Sequence, residues 1–266
     1  MLVIGEKINT TREDVNAIVE ARDESALREL AARQINAGAQ VVDVNVGTRF
    51  RTEKEDMTWA IATIQDGIDT KCCIDSPSIE VLRAGLQVHR GKALLNSTTA
   101  EKKRLDETLL LIGDFECSVI ALTMDDEGLP SDGATRLRIG ERLIETLTGA
   151  GLTPDDIYID PLVRPISTEP MAGKQLLEAI GGISSEFTGV HIVGGLSNVS
   201  FGLPSRRLLN HVFLAMVMAE GMDAVLIDPL DREIMATIIA AEALLGRDEY
   251  SARYVASFRS GKLGAT

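Results

Sequence analysis

Along this chain, short apolar runs rich in branched residues alternate with longer segments whose apolar positions recur every three or four residues. The short runs are LVIGEKI (2–8), VVDVNV (41–46), CCID (72–75), ALLN (93–96), SVIALTM (118–124), IYIDPLV (157–163), VHIVGG (190–195) and AVLID (224–228). Helix-period segments lie between them, at 25–37, 54–68, 79–88, 102–114, 134–148, 206–219 and 232–245. Gly38, Gly151 and Gly221 follow three of these, where a helix-ending glycine belongs. Strands alternating with helices predict parallel pairing through right-handed crossovers. Eight such units predict an α/β fold, a (β/α)8 barrel formed by residues 1–266 as one domain, with a doubly wound open sheet as the alternative. Residues 247–262 read as a polar terminal extension.

In a barrel, chemistry sits at the C-terminal ends of the strands. Those ends carry Glu6 and Asn9, Asp43 and Asn45, Asp75, Asn96, Thr123, Asp160, Ser197 with Asn198, and Asp228. The ring is made of carboxylates and carboxamides, and that restricts what it can do. The three histidines, His89, His191 and His211, are read as two helical residues and one mid-strand residue, which argues against a histidine metal cage. Lys7 is the one lysine placed for Schiff-base chemistry, and no serine–histidine pairing has a convincing spacing. A phosphate would meet Gly194 and Gly195, but Asp160 and Asp228 make that corner hostile to anions. Ionised carboxylates only accept hydrogen bonds, whereas carboxamides donate and accept. A neutral heterocycle with an amide edge and an exocyclic amino group, such as a pterin, matches that set.

Composition narrows the partners. A formal net charge of −13 disfavours nucleic acid. Three cysteines, Cys72, Cys73 and Cys117, imply a reducing compartment rather than a disulfide framework. The start MLVIGEKINTT has neither the charged onset nor the long apolar stretch of a signal peptide, so the expected location is the cytoplasm.

The strand-end motifs NVG (45–47), IDS (74–76), LNST (95–98), YIDPL (158–162) and GLSNVS (195–200) resemble those of the pterin-binding methyltransferases. The nearest resemblance is to the methyltetrahydrofolate:corrinoid protein methyltransferases, and it runs from IGEKIN (4–9) through LLNHVFLAMVMAEGMDA (208–224). It implies a TIM barrel of the pterin-binding type, paired as a homodimer. By motif position, Asp75, Asn96 and Asp160 would hydrogen-bond the pterin ring, and Asn198 would reach its methyl-bearing nitrogen. Asp43, Asn45, Gly195 and Ser197 would line the pocket, and Glu6 and Asn9 would close its rim. Asn198 and Asp160 are the catalytic candidates, the latter near a water that supplies the proton.

The corrinoid would arrive on a separate protein, since no Asp-x-His-x-x-Gly ligand motif surrounds His89. Cys72 and Cys73, adjacent on one strand, point to opposite faces and cannot form the thiolate cluster that a homocysteine methylase needs. The similarity of IGEKIN and of residues 20–23 to demethylation-linked members suggests transfer from a methylated corrinoid to tetrahydrofolate. A non-catalytic folate-binding barrel and a dihydropteroate synthase are the alternatives. Ser205-Arg206-Arg207 superficially resembles the synthase motif but lacks its lysine. Simpler readings also exist: Asp75, Asp160 and Asn96 as helix caps, Trp59 as packing, and Met216, Met218 and Met222 as core and dimer packing. Arg206 and Arg207 read equally as contacts to a folate glutamate tail or as a solvated helix start. Phe201 stands where related proteins often carry a polar residue.

Overall fold

A computed structural model describes residues 1–263. Eight parallel strands, β1 (Leu2–Asn9), β2 (Val41–Asn45), β3 (Lys71–Asp75), β4 (Ala93–Thr99), β5 (Cys117–Leu122), β6 (Ile157–Asp160), β7 (His191–Ile192) and β8 (Ala224–Ile227), pair in chain order. β8 returns to β1, with Leu2–Gly5 beside Ala224–Ile227. The β7–β8 joint closes through a bridge between Gly195 and Leu226, with Leu226 N–H donating to Gly194 O at 3.1 Å. The expected barrel is therefore present.

The helices on its outside are α1 (Glu13–Ala21), α2 (Glu24–Ala37), α3 (Glu53–Gly67), α4 (Ile79–Val88), α5 (Lys102–Asp114), α6 (Gly133–Gly149), α7 (Ala172–Glu186), α8 (Arg206–Glu220), α9 (Arg232–Leu244) and α10 (Ala252–Arg259). Asp23, Asp132 and Asp231 start α2, α6 and α9 by accepting hydrogen bonds from backbone N–H groups of the first turn, each worth about 1 kcal/mol. At Gly221, which ends α8 with φ +118°, a Cβ would also lie 2.3 Å from Ser184 Oγ, so only glycine fits.

The period of two along each strand sorts the barrel into an inside and an outside. Ile4, Val41, Cys73, Leu94, Ile120, Tyr158, Val193 and Ala224 form one apolar interior layer, with a residue from or just beyond each strand. Outward-facing residues such as Val42, Cys72, Ile74 and Val119, or Ile157, Ile159 and Val225, pack under the helices. Cys72 and Cys73 thus do lie on opposite faces, and all three cysteines are free thiols.

Several expectations need adjustment. β6 stops at Asp160 rather than Val163, because Pro161 has no N–H to give the ladder and Leu162 adopts φ +64°. β7 is reduced to two laddered residues, although Val193 N–H still reaches Ile159 O at 2.9 Å. α1 and α7 escaped the periodicity reading, α7 because Gly181 and Gly182 interrupt a segment held by buried Leu176, Ala179, Ile180 and Ile183. His89 is not helical: it follows α4 in extended backbone, where its Nε2 accepts from Cys72 N at 3.1 Å. The terminal segment folds as α10, which buries Ser257 and whose Arg253 pairs with Glu242 of α9. No helix among the described residues is long and apolar enough to cross a membrane.

Candidate active site

Two residues beyond the apolar interior layer, on the same faces of the strands, stand Glu6, Asp43, Asp75, Asn96, Leu122, Asp160, Gly195 and Leu226. Polar groups therefore crowd the C-terminal mouth around two leucines. The parallel register sets Asn45 beside Asp75, and Asp75 beside Asn96.

These neighbours brace one another. Asn45 Nδ2 donates to Asp75 Oδ2 at 2.7 Å, while Asn45 Oδ1 accepts from Gly47 N–H at 3.0 Å. Asn96 Nδ2 donates to Asp43 Oδ1 at 3.3 Å. Asp160 Oδ1 accepts from Leu162 N–H at 2.8 Å. Behind them, Arg104 of α5 holds the carbonyls of Ser76, Pro77 and Ser97, tying the turn after β3 to the C-terminal part of β4. Asp75, Asn96 and Asp160 each have one atom engaged and another remaining. Among the described residues, Asp75 Oδ1, Asn96 Oδ1 and Asp160 Oδ2 have no donor. Thr123 Oγ1, fully buried at the end of β5, also lacks a partner.

Burial disfavours charge here. The Asp160 carboxyl is pushed up to about 6 by burial, offset by the Leu162 amide. Asp75 also rises to about 6, through burial and the nearby Glu53, against the Asn45 bond and Arg104. Asp43 lies well above the ordinary carboxyl range, because it is buried beside Asp75. Glu6 reaches about 7 through burial and Asp228, partly countered by Lys7, Arg12 and Arg206. Asp75 and Asp160 are thus mostly ionised acceptors at neutral pH, and burial beside Asp75 favours the neutral form of Asp43.

The remaining predicted residues are placed differently. Asn198 is exposed on a single 3-10 turn, Leu196–Ser200, and its side chain bonds to nothing among the described residues. Ser197 offers its carbonyl to Arg206 Nη2 at 2.6 Å. Asn9 turns back on its own loop, with Oδ1 accepting from Thr11 Oγ1 at 2.7 Å. Glu6, Ser197, Arg206, Asn210 and Asp228 line a side cavity of about 280 Å³. Lys7 is not a free amine, because its Nζ sits 2.7 Å from Asp228 Oδ2. Neither Asp75 nor Asp160 caps a helix. A Cβ at Gly194 would meet Met222 and Val163 at 3.2 Å each and lie 3.9 Å from Asp160 Oδ1. Gly195 does face the site, its Cβ position lying 3.6 Å from Asn198 Nδ2.

Sequence reasoning overlooked Arg104, whose role depends on loops distant in sequence. Of the basic pair, Arg207 is a helix-start residue that binds Asp231 at 2.9 Å and Glu233 at 3.2 Å. The same two carboxylates with His211 form the one described group with metal-ligand spacing, and the guanidinium occupies them.

A mouth of oriented acceptors around apolar side chains is what a flat, donor-rich heterocycle requires. The sequence profile of the family described as pterin binding enzyme matches residues 5–228, and the chain belongs to that family. Methylcorrinoid:tetrahydrofolate methyltransferase of Eubacterium limosum is 36% identical over 266 residues, covering 99% of this chain and 98% of that protein. Methionine synthase of Mycobacterium tuberculosis is 30% identical over 240 residues, 85% of this chain but 20% of that longer protein. Among solved structures, dihydropteroate synthase of Xanthomonas albilineans, in complex with 7,8-dihydropteroate, superposes at a TM-score of 0.63 with 19% identity over 93% of both chains. The Yersinia pestis synthase, with a pterine-sulfa conjugate, gives 0.64 at 16% identity over 91% of this chain and 93% of that one. These last two share the fold.

Proposed function

We propose that the chain transfers a methyl group from a methylated corrinoid, carried by a separate protein, to the ring nitrogen of tetrahydrofolate. The full-length relative supports the reaction and its direction. The observation that carries the site is the set of braced groups with one free acceptor atom each, Asp75 Oδ1, Asn96 Oδ1 and Asp160 Oδ2. Asp75 and Asp160 would accept from the amide and amino edge of the pterin, with Asn96 between them. Asp43 and Asn45 hold Asn96 and Asp75 in place rather than touching the ring. Glu6, Asn9, Gly195 and Ser197 complete the rim.

In the transfer, the nitrogen lone pair forms the new N–CH3 bond. The cobalt–carbon pair stays with cobalt, which leaves as cobalt(I), and the N–H proton departs to water. The Asn198 side chain is exposed and has no hydrogen-bond partner among the described residues. Its amide oxygen would accept the N–H of the attacking nitrogen and stabilise the positive charge that develops there, as preorganised electrostatics rather than proton transfer. Asn does not titrate, so the proton leaves through water, for which Asp160 supplies an acceptor.

Mixing the protein with methylcobalamin and tetrahydrofolate tests this directly. The expected result is loss of the methylcorrinoid spectrum and appearance of cobalt(I); folate binding with no spectral change would identify a carrier instead.

The same reading includes a homodimer in the cytoplasm. Leu208, Val212 and Met216 recur at four-residue spacing along α8 and are exposed by 67%, 53% and 45%, an apolar stripe suited to a second copy. Met218 and Met222 are fully buried core residues. Met216→Glu is expected to halve the molecular mass seen by light scattering while leaving folate binding intact.

A further inference from the structure

Arg136, in the first turn of α6, is the largest of the fully buried side chains. Buried arginines ordinarily answer a carboxylate. This one makes a single hydrogen bond, from Nε to the carbonyl of Pro161 at 2.8 Å, and its Nη1 and Nη2 have no partner among the described residues. Asp132 and Glu169 lie near enough to favour its charge, and Arg164 opposes it. Glu169 is itself engaged by Arg164 at 2.7 Å. The fold thus commits a buried guanidinium to one backbone carbonyl.

That carbonyl sits at a special place. Pro161 directly follows Asp160, and the next residue, Leu162, is a non-glycine with φ +64°, a conformation an L side chain adopts only when its surroundings impose it. The turn aims Leu162 N–H at Asp160 Oδ1, 2.8 Å away. The base of α6 is itself fixed, since a Cβ at Gly133 would lie 2.9 Å from the carbonyl of Gln175 in α7. No arginine contributes directly to the environment of the Asp160 carboxyl, which is set by burial and by Leu162.

We infer that Arg136 is a positioning residue for substrate binding: by clamping the Pro161 carbonyl it holds the left-handed turn whose amide orients the Asp160 carboxylate in the pterin site. The inference rests on Asp160 being a pterin ligand. It acts through backbone geometry, so its signature is energetic coupling to Asp160 and not loss of stability.

A double-mutant cycle on tetrahydrofolate affinity, measured by calorimetry on the intact protein, tests it. Arg136→Met fills much of the same space and removes the donor to the Pro161 carbonyl. Expected is a loss of affinity of about fivefold in folded Arg136→Met, and no further loss when it is added to Asp160→Asn. Arg136→Lys, which keeps one donor for Pro161, is expected to lose about twofold, and it carries the cycle if the methionine variant fails to fold. Independent, multiplicative losses in the double variant, or unchanged affinity in both single Arg136 variants, overturn the inference. Unchanged affinity in Asp160→Asn alone overturns the assignment of Asp160, and the inference with it.

Discussion

The two sides of the barrel mouth are built on opposite plans. On the β2–β4 side, Asn45 fixes Asp75, Asp43 fixes Asn96, and Arg104 joins the turn after β3 to β4. On the β7 side, Asn198 projects from one 3-10 turn, its side-chain amide without a partner among the described residues. The braced side presents acceptors already oriented, so little ordering free energy is lost when a ring binds. Under the proposed reaction, the unbraced side would adjust as the partner's cobalt approaches and the nitrogen changes from trivalent to tetravalent. Binding and chemistry would then fall to regions of different stiffness.

If that division is right, substitutions on the two sides fail in different ways. Asn198→Ala gives the largest effect, a fall of about 100-fold in single-turnover methyl transfer, comparable with removal of one preorganised polar group at a developing charge. Weakened binding with an unchanged transfer rate would remove the transition-state role. Asp75→Asn comes next, with tetrahydrofolate affinity reduced by about 30-fold, the range for a lost hydrogen bond to a charged group, and the rate on saturated enzyme nearly preserved.

Acid should act through the two carboxylates proposed to hold the ring, Asp75 of β3 and Asp160 of β6. Asp75 and Asp160 titrate near 6, above the ordinary 3.8, so the native protein holds more protons than the unfolded chain between those values. Their contribution to stability is therefore present at low pH and lost as pH rises through 6. Folate affinity runs the other way: it is expected to be constant above pH 7 and to weaken by about tenfold per pH unit below 6 for one required carboxylate. Titration calorimetry across that range settles the sign. The smallest effect belongs to Asn45→Ala, which leaves Asp75 in place but unbraced; affinity should drop by about fivefold, and a drop equal to that of Asp75→Asn would mean that Asn45 itself contacts the ring.

Much of this arrangement was legible in the chain because barrel strands have a period of two. Ile4, Val41, Cys73, Leu94 and Tyr158 face inward, and Glu6, Asp43, Asp75, Asn96 and Asp160 follow each by two positions. The polar ring is therefore written in the strands themselves. What the ring does internally was not legible. Periodicity places Asn45 and Asp43 at the mouth, but only parallel register makes them supports rather than contacts. Gly194 offered the same signal as Gly195, yet one accommodates Met222 and the other faces Asn198. Arg104 and Arg136 look like ordinary helical arginines, because the carbonyls they hold belong to loops brought near only by the closed barrel.

The closure itself has a further consequence. β4 and β5 are joined by six register pairs, whereas β6 and β7 share two, and the next joint rests on a bridge at Gly195. The barrel is a hoop with one short weld, and the weld lies at the root of the turn that carries Asn198. Breathing of the hoop is therefore felt first at the turn of Asn198, proposed as the methyl-transfer end, while β3 and β4, which carry the proposed ring acceptors, stay laddered.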